Sequence, residues 1–122
     1  MPTPSQTTVP LYRLAHSRTG DKGNISNISV IAWAPEYLPL LKEQLTETAI
    51  EEWFSFRRPH RVQRYVIESI AAMNFVIDGI LDGGVNDALN LDTHGKALSF
   101  YLLDFPVHVS HELALTLPNV HN

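Results

Sequence analysis

Within seven residues the chain gathers Arg18, Gly20, Asp21, Lys22, Gly23 and Asn24, with Asn27 just beyond. A guanidinium and an ammonium together can hold a carboxylate or a phosphate, and a neighbouring carboxylate can orient one of them or handle a proton. Glycine lets backbone N–H groups come close to a ligand. The same residues also suit a tight turn closed by an internal Asp–Lys or Asp–Arg pair. A second cluster is Asn74, which interrupts an apolar stretch, followed downstream by Asp82-Gly83-Gly84. The amide suits a ligand or a helix–loop hydrogen bond, and the glycines suit a phosphate cradle or a helix C-cap and turn. The third is Asp92-Thr93-His94-Gly95-Lys96, where the free N–H groups of a helix start would favour an anion. Capping alone explains Asp92 there, but explains His94 and Lys96 less well.

Other polar groupings carry weaker signals. The glycine-rich stretch lacks the four-residue spacer and the Ser or Thr after Lys of a nucleotide-binding P-loop. His108-Val109-Ser110-His111-Glu112 has the content of a zinc-protease helix, but the histidines are three apart, not four, so no metal site is expected. Arg57, Arg58, His60, Arg61 and Arg64 run beside Trp53, Phe54 and Phe56, a mixture that can grip single strands. In an acidic protein such a run reads as a solvated strand edge or a contact for an acidic partner.

These clusters need elements to position them. Residues 1–8 read as a frayed tail. Residues 9–16 read as a first strand with Pro10 at an edge or a start. Residues 25–33 read as a second strand, with Ile28, Val30 and Ala32 on one face and Ser29, Ile31 and Trp33 on the other. Residues 36–45 are predicted helical, with Pro39 tolerated in the first turn. A short helix follows, with Thr48 and Glu51 as a capping box. Residues 62–70 alternate as a strand with one wet face. Residues 71–81 predict a helix, since Met73, Val76, Ile77, Ile80 and Leu81 repeat at helical spacing and glycines follow. A short strand over 88–91 and a last helix carrying Leu98, Tyr101, Leu102 and Phe105 complete the order, capped by Asp92 or Thr93. The stretch 107–122 still holds Val107, Val109, Leu113, Leu115 and Leu117, so it should pack on the domain or on a neighbour. Strands interleaved with helices at this length predict one α+β domain, a two-layer ferredoxin-like sandwich over 9–106 with helices on one face of a mainly antiparallel sheet. The many apolar positions suggest that the other face pairs with a second subunit.

Composition narrows the function classes. The 122 residues carry 9 Lys and Arg against 13 Asp and Glu, a net charge of −4, which speaks against nucleic acid as a partner. No apolar run reaches the length of about 18 residues expected of a membrane span. The chain has no cysteine, which removes thiol nucleophiles, disulfides and Cys-ligated metals. Residues 1–8 lack the charged and apolar regions of a signal peptide, and the expected location is cytoplasmic.

Taken in order, Arg18-Thr19-Gly20-Asp21-Lys22-Gly23-Asn24 with Asn27-Ile28, Arg64-Tyr65, Asn74-Phe75, Leu81-Asp82-Gly83-Gly84-Val85 and Asp92-Thr93-His94-Gly95-Lys96 resemble one family. They are similar to the small C-terminal ferredoxin-fold domain of the AtuA-like proteins, named for acyclic terpene utilisation. The resemblance runs from about Val9 to Pro106. Thr19 stands where Ser is more usual, and 107–122 has no counterpart. In that family the small domain often follows a much larger one on the same polypeptide. The resemblance therefore implies a small subunit or accessory domain working with a large AtuA-like subunit. The implied setting is the breakdown of branched or terpene-derived carboxylic acids or their CoA thioesters.

On this expectation Arg18 and Lys22 bind the anionic part of a small ligand, and Asp21 orients Lys22 or handles a proton. Asn24, Asn27 and Asn74 supply neutral hydrogen bonds beside Gly20 and Gly23. His94 and Lys96, with Asp82, Gly83, Gly84 and Asp92, belong to the same pocket or to the large-subunit interface. No bound cofactor is expected, a CoA thioester being a candidate substrate. The isolated chain should form a homo-oligomer with little activity. Two alternatives stand beside it: a non-catalytic ligand-binding or regulatory module, and an independent lyase or hydratase using Asp21 and His94 as acid and base, with Lys22 kept among the catalytic candidates.

Overall fold

The computed structural model describes residues 6–22, 25–79 and 96–117. The elements run β1 (Gln6–Pro10), β2 (Ala15–Lys22), β3 (Ile25–Ala32), α1 (Leu38–Gln44), α2 (Glu47–Trp53), β4 (Arg61–Ile67), β5 (Ala72–Asp78), α3 (Lys96–Leu103), β6 (Pro106–Ser110) and α4 (His111–Thr116). Four strands form an antiparallel sheet in the order β2-β3-β5-β4, while β1 and β6 form a separate antiparallel ribbon. This is a two-layer α+β sandwich of the ferredoxin-like kind.

Alternation builds the inner layer. Along β3, Ser26, Ile28, Val30 and Ala32 are buried, and along β5, Met73, Phe75 and Ile77 are buried. Leu38, Leu41 and Leu45 around α1, Ile50 and Phe54 around α2, and Leu98 and Leu102 of α3 close over that face. Val9, Val107 and Val109 bring the ribbon into the same core. Pro39 lies in the first turn of α1, where its missing N–H costs nothing.

Helix side chains then blunt two strand edges. The Arg64 N–H, on the outer edge of β4, donates to Glu47 Oε2 at 2.8 Å. The Gln44 amide takes the place of a strand partner for β6: its Nε2 donates to the His108 carbonyl, and the His108 N–H donates to its Oε1, both at 2.8 Å. Arg64 Nη1 also donates to the Lys42 and Leu45 carbonyls at 2.7 and 2.9 Å, so this arginine caps the end of α1. It belongs to the scaffold.

Several local expectations are corrected. The stretch 71–81, read as a helix, contains strand β5. Its apolar residues fit both periods, but the seven residues before Gly79 carry β-branched and aromatic side chains at Phe75, Val76 and Ile77. Ladders from β3 and β4 on either side decide the matter. The single strand over 9–16 is two, because the chain turns through a 3-10 turn at Leu11–Arg13 after Pro10. Gln6, Thr7 and Thr8 are not frayed: they pair with Ser110, Val109 and His108. The cap of α2 is Thr46, whose hydroxyl accepts from the Ala49 N–H at 3.1 Å, in place of Thr48. The expected strand over 88–91 and the Asp92 or Thr93 cap lie outside the described residues. No helix among the described residues is long and apolar enough to cross a membrane.

Candidate functional site

The helices cover one face of the sheet. Register lays out the other as rows, because directly paired residues in antiparallel strands share a face. One row is His16, Ile31, Ala72 and Ile67, and the next is Arg18, Ser29, Asn74 and Tyr65. The third is Gly20, Asn27, Val76 and Gln63, and beyond it Ile25, Asp78 and Arg61 align with position 22. Ile25, Trp33, Tyr65 and Ile67 are each at least 40% exposed, so this face carries large apolar side chains into solvent.

A polar relay crosses the middle of the face. Ser29 Oγ donates to Asn74 Oδ1 at 3.2 Å, and Asn74 Nδ2 donates to Asn27 Oδ1 at 2.7 Å. Arg18 is exposed opposite Ser29. Gly20 is opposite Asn27, and a Cβ placed on it would meet no atom within 4 Å. At one end of the face the His16 and Trp33 rings stack with centroids 4.6 Å apart, and Trp33 Nε1 donates to the Tyr12 carbonyl at 3.1 Å. The face thus passes from aromatic and aliphatic at one end to amide and guanidinium in the middle. Such a surface can hold an anion by donors and an apolar body by contact.

Of the residues singled out from sequence, Arg18, Gly20, Asn27 and Asn74 come together here from three strands. Arg18 to Lys22 are not a loop, as expected, but the end of β2, in register with Ser29 to Ile25. Gly20 accordingly has no positive φ: among the described glycines only Gly79 does, at 80°. Asp21 and Lys22 are described as strand positions opposite Ser26 and Ile25. Lys96 opens α3. Gly23, Asn24, Asp82, Gly83, Gly84, Asp92 and His94 lie outside the described residues.

Ser29, Tyr65, Gln63 and the His16–Trp33 stack were not among the site candidates. Alternation along 25–33 already placed Ser29 on the face of Ile31 and Trp33, opposite Ile28, Val30 and Ala32, and that was the available signal. Ser17 Oγ and Thr19 Oγ1 are buried on the helix-facing side of β2 with no hydrogen-bond partner. Ser110, within the His-Val-Ser-His-Glu stretch, caps α4 by accepting from the Leu113 N–H at 3.0 Å. Among the described residues no three His, Cys, Asp or Glu side chains lie together as metal ligands do.

Comparison with known proteins gives one match. The model of a family described as the AtuA ferredoxin-like domain matches residues 9–108. No curated protein and no solved structure matches the chain.

Proposed function

The chain belongs to the AtuA ferredoxin-like domain family, and from that premise we propose that it is the small subunit or accessory domain of a two-component AtuA-like enzyme. In this reading it works in the cytoplasm on branched or terpene-derived carboxylic acids or their CoA thioesters. The open sheet face is its working surface, and a large AtuA-like subunit closes over it. Arg18, with Lys22 beside it in sequence, binds the anionic part of the substrate. Asn27 and Asn74 supply neutral hydrogen bonds, and the chain alone is a homo-oligomer of little activity. One observation carries the reading: Arg18, Gly20, Asn27 and Asn74, from three strands, share one uncovered face, with two of them hydrogen-bonded. Exposed apolar side chains around them suit a surface that a partner covers.

A second reading is a non-catalytic ligand-binding module. It is favoured by the chemistry of the relay, which joins a hydroxyl to two amides. Such groups position a ligand and do not exchange protons near neutral pH. The test is a pull-down from the native organism with this chain as bait, the bound proteins being identified by mass. A large AtuA-like protein at simple stoichiometry supports the subunit. Failure to associate at micromolar concentration overturns it in favour of the module.

A further inference from the structure

We infer that the outer edge of β2 is an interface for a second copy of this chain, the two β2 strands pairing antiparallel about a two-fold axis at Thr19. The inference deepens the homo-oligomer of the proposed reading by naming its surface, and it rests on that reading in this respect alone.

The edge of a sheet offers unpaired N–H and C=O groups to other strands, and most edges here are closed. The Arg64 N–H of β4 is taken by Glu47, the Gln44 amide pairs with β6 at His108, and β1 ends at Pro10, which has no N–H. The eight-residue β2, at the end of the order β2-β3-β5-β4, is different. The Trp33 N–H donates to the Leu14 carbonyl at 2.8 Å, and this phase makes His16, Arg18 and Gly20 the residues whose backbone bonds β3. Ala15, Ser17 and Thr19 therefore turn N–H and C=O outward, and no group is bonded to them there among the described residues. Ser17 Oγ and Thr19 Oγ1 are also buried without a hydrogen-bond partner. Unmet polar groups of both kinds line this one edge. The helix above it points the same way. In α3, which packs over β2, Leu98, Leu102 and Leu103 turn inward and Tyr101 stacks on Trp53 of α2 at 5.0 Å. Phe100 leaves on the opposite flank, away from α2, and is 61% exposed.

A second copy supplies what the edge lacks. In a two-fold antiparallel pair, residue i meets j and residue j meets i. Outward residues must meet outward residues, which leaves registers centred on Ser17, Arg18, Thr19 or Gly20. Centring on Arg18 sets two arginines opposite each other, and centring on Gly20 sets Arg18 opposite Lys22. Like charges directly opposed are destabilising. Centring on Ser17 sets Thr19 opposite Ala15, which offers its hydroxyl nothing. Centring on Thr19 avoids all three. Thr19 then meets Thr19 of the second copy, one hydroxyl donating to the other. Ser17 meets Asp21 of the second copy, an acceptor type. Arg18 meets Gly20 of the second copy, where a Cβ would have no atom within 4 Å and the space is open. A two-fold axis normal to the sheet keeps both helix layers on one side and brings the two Phe100 flanks toward each other. It also joins the open faces, so that the row running from Gly20 through Asn27 is continued by Arg18 of the second copy.

The test uses the full chain alone. Sedimentation should show a dimer at micromolar concentration, and the Ser17 and Thr19 amides should exchange about tenfold more slowly in the dimer than at a dilution that dissociates it. The chain has no cysteine. An oxidised mixture of Arg18→Cys and Gly20→Cys chains should therefore give mainly the mixed disulfide, since residues opposed in this kind of pair are about 4.5 Å apart. Thr19→Pro removes an outward N–H, leaves the bonds to β3 in place, and should yield a monomer. Phe100→Ser, a surface change, should weaken the dimer about tenfold with the fold unchanged. Three results overturn the inference: a monomeric wild-type chain, a dimer with unprotected Ser17 and Thr19 amides, or Arg18→Cys chains that link to themselves as readily as to Gly20→Cys chains. A monomer that still recovers a large partner in the pull-down would sink this inference and leave the subunit reading standing. A β2-paired dimer that recovers none would do the reverse.

Discussion

The two faces of the four-stranded sheet are made by the same strands and obey opposite rules. On the helix-covered face, Ile28, Val30, Met73, Phe75 and Ile77 are at most 1% exposed and pack against three helices and the ribbon. Their energy comes from apolar area removed from water, and deletions there leave cavities. On the open face, residues one step along the same strands form the amide relay and stand among exposed Tyr65, Ile67 and Trp33. A single-residue register slip would exchange the two sets, so burial of one face holds the other in place. Stability lives on the covered side of the sheet, and the proposed working surface is on the other.

Substitutions at neighbouring positions break this comparison most directly. Phe75→Ala, on the covered face, should cost about 3–5 kcal/mol in urea unfolding, enough to leave little folded protein. A cost below about 1 kcal/mol would mean that this face is not the core. Gly79→Ala should come next. The residue has φ 80°, and a Cβ there would meet the His60 ring at 2.7 Å. Backbone strain alone is worth about 1–2 kcal/mol, readable as a lowered Tm, and truncation of His60 in the same chain should relieve part of the loss.

Asn74→Ala sharpens the contrast, since it lies next to Phe75 and faces the other way. Its stability loss should stay near 1 kcal/mol, the net worth of a typical hydrogen bond. Recovery of the large partner in the pull-down should fall, because the residue lies at the centre of the proposed working surface. A loss of several kcal/mol would make the relay a structural clasp. The smallest effect belongs to the surface pair Lys42–Glu68, 3.0 Å apart with side chains 38% and 71% exposed. Glu68→Gln should change stability by less than about 0.5 kcal/mol, and the difference should vanish in high salt.

Much of this was legible along the chain. Period-two alternation over 25–33 separated the two faces of β3, and the placement of Pro39 was readable from its missing N–H. The charged and amide residues of the site were visible as types that a plain turn does not need. The extent of β2 was not legible, because Gly20 and the charges around it look like a loop until a partner strand pairs with them. Nor was the Gln44 cover on β6, which joins residues 64 apart.

By itself, the sequence determined an acidic α+β domain without cysteine, the alternation of β3, and a set of anion-binding residue types in a recognisable order. Only the tertiary structure decided that 72–78 is a strand and that Asn74 therefore joins Asn27 and Ser29, from 47 and 45 residues away. The apolar residues of this seven-residue stretch satisfy both the helical and the extended period. The choice between them is made by ladder hydrogen bonds on both sides, which exist only when distant strands have come together.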